Sequence, residues 1–284
     1  MTNPGNQSIQ VIAVGGGKGG VGKTNVAVNL AIGLSQHGRR VTLLDSALGL
    51  ANSDVTLGVK PRQTLLDVLT GDARLSEVVV ETADGVNIVP ASSGVPELAS
   101  LSLEHYAGLI HAFSELADSM DTLVIDTAAG ISDEVICFLS AAQHVLLVVC
   151  NEPTSISDSY ALIKLLSERH GIENFKIVTN MVRSVADGEE AFAKLTTVSE
   201  RFLNVNLEHT GSLPFDEYLR RAVRRQTPVL RAYPSCAVSG ALGELSARVA
   251  NWPFSPAPSG QLEFFVERLV SVEHDRMTLQ RQRA

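Results

Sequence analysis

Apolar positions along the chain fall into two rhythms. Short, almost continuously apolar runs bounded by turn residues occur at Gln10 to Val14, Arg40 to Leu44, Val86 to Pro90, Thr122 to Ile125, His144 to Cys150 and Phe175 to Val178. Between most of them, at Lys23 to His37, Leu103 to Ser119 and Ile156 to His170, apolar residues recur at helical spacing. The first rhythm predicts strands buried on both faces, and the second predicts the helices that cover them. Their alternation predicts an α/β fold: three layers, doubly wound around a mainly parallel sheet.

The pattern changes late in the chain. Residues 252–260, WPFSPAPSG, collect Pro, Ser and Gly and predict a linker. Beyond it, Leu262, Phe265, Val266, Leu269 and Val270 share a helical face, with Glu263, Glu267 and Arg268 opposite. The expected organisation is one domain over 1–251, a linker over 252–260, and an amphipathic helix and tail over 261–284. Residues alone leave three readings of that helix open: packing on its own domain, binding a partner, or lying on a membrane surface.

Composition narrows the function classes. A chain of 284 residues that is 45% hydrophobic can bury a large core, and its net charge of -8 argues against a uniformly basic nucleic-acid footprint. Cys137, Cys150 and Cys236 are far apart and lack the spacing of a zinc site or redox pair, which suits a reducing cytoplasm. The first ten residues have no basic stretch leading into an apolar one, and no run of eighteen apolar residues occurs, so neither secretion nor membrane spanning is expected.

The chemistry begins after the first predicted strand. Residues 17–24, GKGGVGKT, match GxxxxGK[ST] between a strand and a helix. Gly17, Gly19, Gly20 and Gly22, with Lys18 and Val21 between them, let backbone N–H groups turn toward phosphate oxygens at a positive helix end. Lys23 is placed to neutralise phosphates, and Thr24 offers a hydroxyl to Mg²⁺. ATP and Mg²⁺ are the cofactors expected. Residues 122–130, TLVIDTAAG, place Asp126 at a strand end as a second magnesium group, with Gly130 able to approach the terminal phosphate.

Lys18, inside the glycine loop, marks the deviant Walker A group, and nearly the whole chain resembles the MinD/ParA ATPases. GKGGVGKTN, LGLANSDVTLG, DTAAG, NEPTSISDSYALIKLL and LEFFVERLV resemble, more narrowly, the MinD-like regulators of flagellar number, the FlhG/FleN type. The resemblance implies an ATPase that forms a homodimer on binding ATP, with Lys18 reaching the partner's phosphates and Asn25 joining the nucleotide loop. It implies a flagellar transcriptional activator as partner, with flagellar assembly proteins as further ones. It implies negative control of flagellar number from the cytoplasm, with reversible contact at the inner membrane face through Leu262, Phe265 and Leu269. It places Asn180, Pro214 and Asp216 around the base.

One departure stands out against that family. Its usual DADLGLAN reads DSALGLAN here, so Asp45 is kept for the magnesium region while Ala47 replaces the acid that positions the attacking water. A methyl group accepts no proton, and Ser46 is one residue out of phase and a poor base. ATP binding and dimerisation with slowed hydrolysis are therefore expected. Asn151 is a smaller departure, at a position where related chains often carry an acid.

The main rival is a ParA-type DNA-segregation or other positioning ATPase, for which Arg220, Arg221, Arg224, Arg225 and Arg231 would hold DNA phosphates. A solvated helix face explains the same cluster, and direct DNA binding is not expected. An iron–sulfur reductase relative would need axial cysteines that this chain does not match.

Overall fold

The structure, a computed structural model, describes residues 9–46, 53–90, 116 and 119–253. Eight strands form one sheet: β1 (Gln10–Gly15), β2 (Val41–Asp45), β3 (Val80–Glu81), β4 (Val86–Val89), β5 (Thr122–Asp126), β6 (His144–Val149), β7 (Asn174–Val182) and β8 (Asn206–Pro214). Their spatial order is β3-β4-β2-β5-β1-β6-β7-β8, and only the short β3 runs antiparallel to its neighbour.

Two separate cores explain the continuous apolar runs. Side chains alternate across a strand, so Val11 and Ala13 of β1 enter one core while Ile12 and Val14 enter the other. The same division separates Leu123 and Ile125 from Val124 in β5, and Val145, Leu147 and Val149 from Leu146 and Val148 in β6. A strand buried on both faces needs apolar residues at every position.

On one face lie α1 (Lys23–Gln36), α9 (Val229–Ala232) and α10 (Ala237–Ala250), with Val26, Leu30, Leu230, Leu242 and Leu245 in their core. Against the other pack α5 (Asp133–Ala141), α6 (Pro153–His170) and α7 (Val185–Phe202), through Val135, Leu139, Leu162, Leu166 and Leu195. Short helices α2 (Ser53–Leu57), α3 (Leu65–Leu69), α4 (Leu75–Val78) and α8 (Glu217–Arg224) complete the described elements. This is the three-layer, doubly wound arrangement that the sequence predicts.

The six expected strands are all present, and β7 runs past Val178 to Val182. Helix α6 starts at Pro153 rather than Ile156, because Glu152 occupies the N-cap and Pro153 fits the first turn without losing a needed N–H. Trp252, assigned to the linker from composition, is buried in the α1/α10 core, and its carbonyl accepts a bond from Gln10. Most of the helix expected over Leu103 to Ser119, the rest of the linker from 254 and the C-terminal helix lie outside the described residues.

Strand β1 sits between β5 and β6, so the chain leaves it on one side and later returns on the other. Loops after adjacent strands then diverge, opening a crevice at the carboxyl ends, where open α/β sheets bind ligands. Gly15, Asp45, Asp126, Val149 and Pro214 all end strands on that edge.

Candidate nucleotide-binding site

The β1–α1 loop is shaped by close backbone approaches. A Cβ on Gly17 would lie 2.3 Å from the Asp158 carbonyl carbon and oxygen of α6, which only glycine avoids. Gly22 adopts φ 91°, in the left-handed region, as the N-cap of α1, and a Cβ there would sit 2.5 Å from Asn180 Nδ2. Asn180 is itself 3% exposed and donates from Nδ2 to the Val21 carbonyl at 2.7 Å. The end of β7 thereby braces the loop. The DTAAG segment braces it from the other side: the Thr127 hydroxyl donates to the Val14 carbonyl at 2.9 Å, and Gly130 N donates to the Gly16 carbonyl at 3.2 Å.

Lys23 is buried at the head of α1, and its ammonium donates to the Lys18 carbonyl at 3.2 Å. Burial lowers its pKa, and the nearby Asp126 charge partly restores it. A buried cation bonded to the loop backbone at a helix N-terminus suits a phosphate. Thr24 and Asn25, the next residues, are partly exposed at the same helix end.

Asp45 and Asp126 are directly paired in the register of β2 and β5, and both are 1% exposed. Burial pushes the Asp126 carboxyl up to about 7, and the Asp45 charge adds to this; the Thr24 and Ser53 hydroxyls and the Lys23 ammonium draw it down. Asp126 Oδ1 is buried with no hydrogen-bond donor. Two buried acids, one with an orphaned oxygen and a threonine hydroxyl alongside, fit a hard divalent cation such as Mg²⁺.

Ser46 is tied to the end of β5. Its N–H and its hydroxyl both donate to the Asp126 carbonyl, at 2.9 and 3.0 Å, so its oxygen is turned to backbone. Ala47 lies outside the described residues.

Lys18 folds back on its own chain. Its ammonium lies 2.6 Å from the Glu152 carboxylate and 2.8 Å from the Thr154 hydroxyl, both at the start of α6, and Glu152 raises its pKa. Neighbouring Asn151 donates to Asp187 at 2.5 Å and Glu190 at 3.2 Å and accepts from Lys194 at 3.0 Å. An acid there would be a third carboxylate, which gives the Asn151 departure a local reason.

Pro214 ends β8 near Asn180, and the next residue, Phe215, is 53% exposed. Asp216, expected beside the base, uses both carboxylate oxygens as helix caps, accepting from Tyr218 N at 2.8 Å and Val238 N at 3.2 Å. Its visible work is to join the starts of α8 and α10.

The arginine cluster is largely engaged. Arg220 pairs with Glu217 and Arg231 with Asp84, while Arg221 and Arg225 lie over the rings of Tyr218 and Tyr233. Burial pushes the Cys150 thiol up to about 11, which suits an inert thiol, and Cys137 is also buried. Among the described residues no group of three or more His, Cys, Asp and Glu is gathered for a metal ion, and no helix is long and apolar enough to cross a membrane.

Sheet order, phosphate loop and paired strand-end acids define a P-loop nucleotide hydrolase. A family profile described as an AAA domain matches residues 9–178. The antiactivator FleN of Pseudomonas aeruginosa is 54% identical over 262 residues, covering 92% of this chain and 94% of that protein. The flagellum site-determining protein YlxH of Helicobacter pylori is 31% identical, covering 95% and 89%. MinD of Pyrococcus horikoshii, solved in complex with Mg-ADP, superposes with a TM-score of 0.69 at 25% identity, covering 85% of this chain and 96% of that one. The chain belongs to the MinD/ParA family of deviant Walker A ATPases, in the group of MinD-like flagellar regulators. ATP and Mg²⁺ are that family's nucleotide and metal, and the loop and acid pair fit both.

Proposed function

We propose that this chain is an ATP-dependent dimerising switch that restrains flagellar number by binding a flagellar transcriptional activator in the cytoplasm. The full-length likeness to an antiactivator carries this reading. The nucleotide loop supports the ATP-dependent part. In this reading the backbone from Gly17 to Asn25, with Gly130, cradles the phosphates, and Lys23 neutralises them. Thr24, Asp45 and Asp126 hold Mg²⁺, which when bound neutralises charge developing on the phosphates. Asn180 and Pro214 flank the base, and Lys18 leaves Glu152 for the nucleotide of the second protomer.

Hydrolysis is slow in this account. With Ala47 in place of an acid, no side chain there can accept a proton, and Ser46 is bonded to the Asp126 carbonyl instead. The missing group is worth roughly 10²–10⁴ in rate. The switch therefore closes readily and resets slowly.

The unit that switches is the domain over 1–251, with 261–284 as an appended helix that touches the membrane surface through Leu262, Phe265 and Leu269. Flagellar assembly proteins are further partners. Vesicles of anionic lipid mixed with the chain and ATP should sediment it, and removing 261–284 should abolish sedimentation.

The test of function is mass-resolved gel filtration of the chain with its cognate flagellar activator. Co-elution should require Mg-ATP and be lost in Lys18→Ala; co-elution with duplex DNA and not with the activator would favour the DNA-segregation reading. The partnered state of Arg220 and Arg231 argues against that outcome.

A further inference from the structure

Ser53 opens α2, and it is completely buried. Its N–H donates to Asp45 Oδ2 at 2.9 Å, and its hydroxyl donates to Asp126 Oδ2 at 3.1 Å. One residue thus supplies a hydrogen bond to each acid. The acids belong to neighbouring strands, and like charges so placed repel; donors fixed on both hold them in one arrangement.

The bonds are also selective in which oxygens they occupy. Ser53 takes the Oδ2 atom of each carboxylate, and Asp126 Oδ1 is left buried with no donor. A carboxylate with one oxygen tied back and the other unsatisfied is oriented for a cation, as outer partners orient ligands in metal sites generally. Ser46, the residue after β2, is bonded twice to the Asp126 carbonyl.

We propose that Ser53 is a positioning residue for the magnesium acids: its hydroxyl orients Asp126, its N–H orients Asp45, and Mg²⁺ affinity depends on it. This rests on the reading of Asp45 and Asp126 as the magnesium group. A buried serine that merely satisfied its own hydroxyl would affect folding stability and leave Mg²⁺ dependence alone.

The experiment titrates Mg²⁺ into the full chain with a fluorescent ADP analogue, comparing wild type, Ser53→Ala and Ser53→Thr, with the same binding and the thermal midpoint measured in EDTA. In Ser53→Ala, half-saturating Mg²⁺ should rise about 10- to 100-fold. Nucleotide affinity in EDTA should stay within about twofold, and Ser53→Thr, which keeps the hydroxyl, should recover most of the Mg²⁺ response. An unchanged Mg²⁺ midpoint in Ser53→Ala overturns the proposal. So does an equal loss of affinity with and without Mg²⁺, which would mark a purely structural role. If Ser53→Thr does not fold, Ser53→Ala decides alone. Wild type with no Mg²⁺ dependence would instead remove the magnesium assignment of the acids, and the Ser53 role with it.

Discussion

The Lys18 ammonium and the Glu152 carboxylate are 2.6 Å apart, so the lysine that marks the deviant loop is held by the first turn of α6 in its own protomer. In the proposed dimer, Lys18 would exchange this carboxylate for phosphate oxygens of the second protomer. Both partners are substantially exposed, and such pairs are weak, so the contact is a resting position rather than a lock.

Glu152→Gln should therefore leave nucleotide affinity unchanged and promote ATP-driven dimerisation by no more than about fivefold. Light scattering across a protein dilution series measures this. Lys18→Ala should keep nucleotide binding and lose the ATP-dependent dimer.

Asp126 gives the metal-free protein a characteristic pH response. Its folded-state pKa, about 7, lies above the unfolded value of 3.8, so the folded state retains a proton that the unfolded state has lost. This group's effect is to lower stability as pH rises from about 4 to about 7. Thermal midpoints in EDTA across that window should fall less in Asp126→Asn than in wild type. Mg²⁺ must displace the same proton, so Mg-nucleotide affinity should weaken as pH drops below about 7.

The glycines of the loop are not equivalent. Gly17→Ala drives a methyl into the Asp158 backbone and should cost about 1–3 kcal/mol or more, along with nucleotide binding. At Gly19 the nearest atom to an added methyl would be the Ala129 Cβ at 3.9 Å, an ordinary contact. Gly19→Ala should stay within about 0.5 kcal/mol of wild type in urea unfolding.

Asn151→Asp would set a third carboxylate against Asp187 and Glu190, whose pKa values are lowered in part by the Asn151 amide. Depressed acids stabilise above their unfolded pKa, and that gain is lost as pH falls through the folded one. The variant should melt below wild type at pH 7, and the gap should narrow as pH falls below the ordinary carboxylate range.

Much of this was legible in the sequence because burial on two faces writes itself as uninterrupted apolar runs, as in β1, β5 and β6. Strand β8 was not: its residues Asn206, Glu208, His209 and Ser212 are polar, as suits an edge strand that is only partly buried along much of its length. Helix α7 buries Gly188, Ala191, Leu195 and Ser199, a face of mostly small residues with little apolar signal. In the site, Gly17 to Thr24 and Asp126 carry their chemistry in consecutive letters. Ser53 and Glu152 do not, because each acts on a residue brought near only by the sheet, 73 positions away for Ser53 and Asp126 and 134 for Lys18 and Glu152. Asp216, expected beside the base, also does the ordinary work of a turn acid before a helix, because its carboxylate accepts capping bonds.

The central claim is a switch that closes on ATP and resets slowly, and phosphate release with oligomeric state, measured together on wild type and Ala47→Asp, tests it most directly. Both proteins should bind Mg-ATP and dimerise, while the Asp variant turns over at least about 100-fold faster. Equal turnover by the two would contradict the claim.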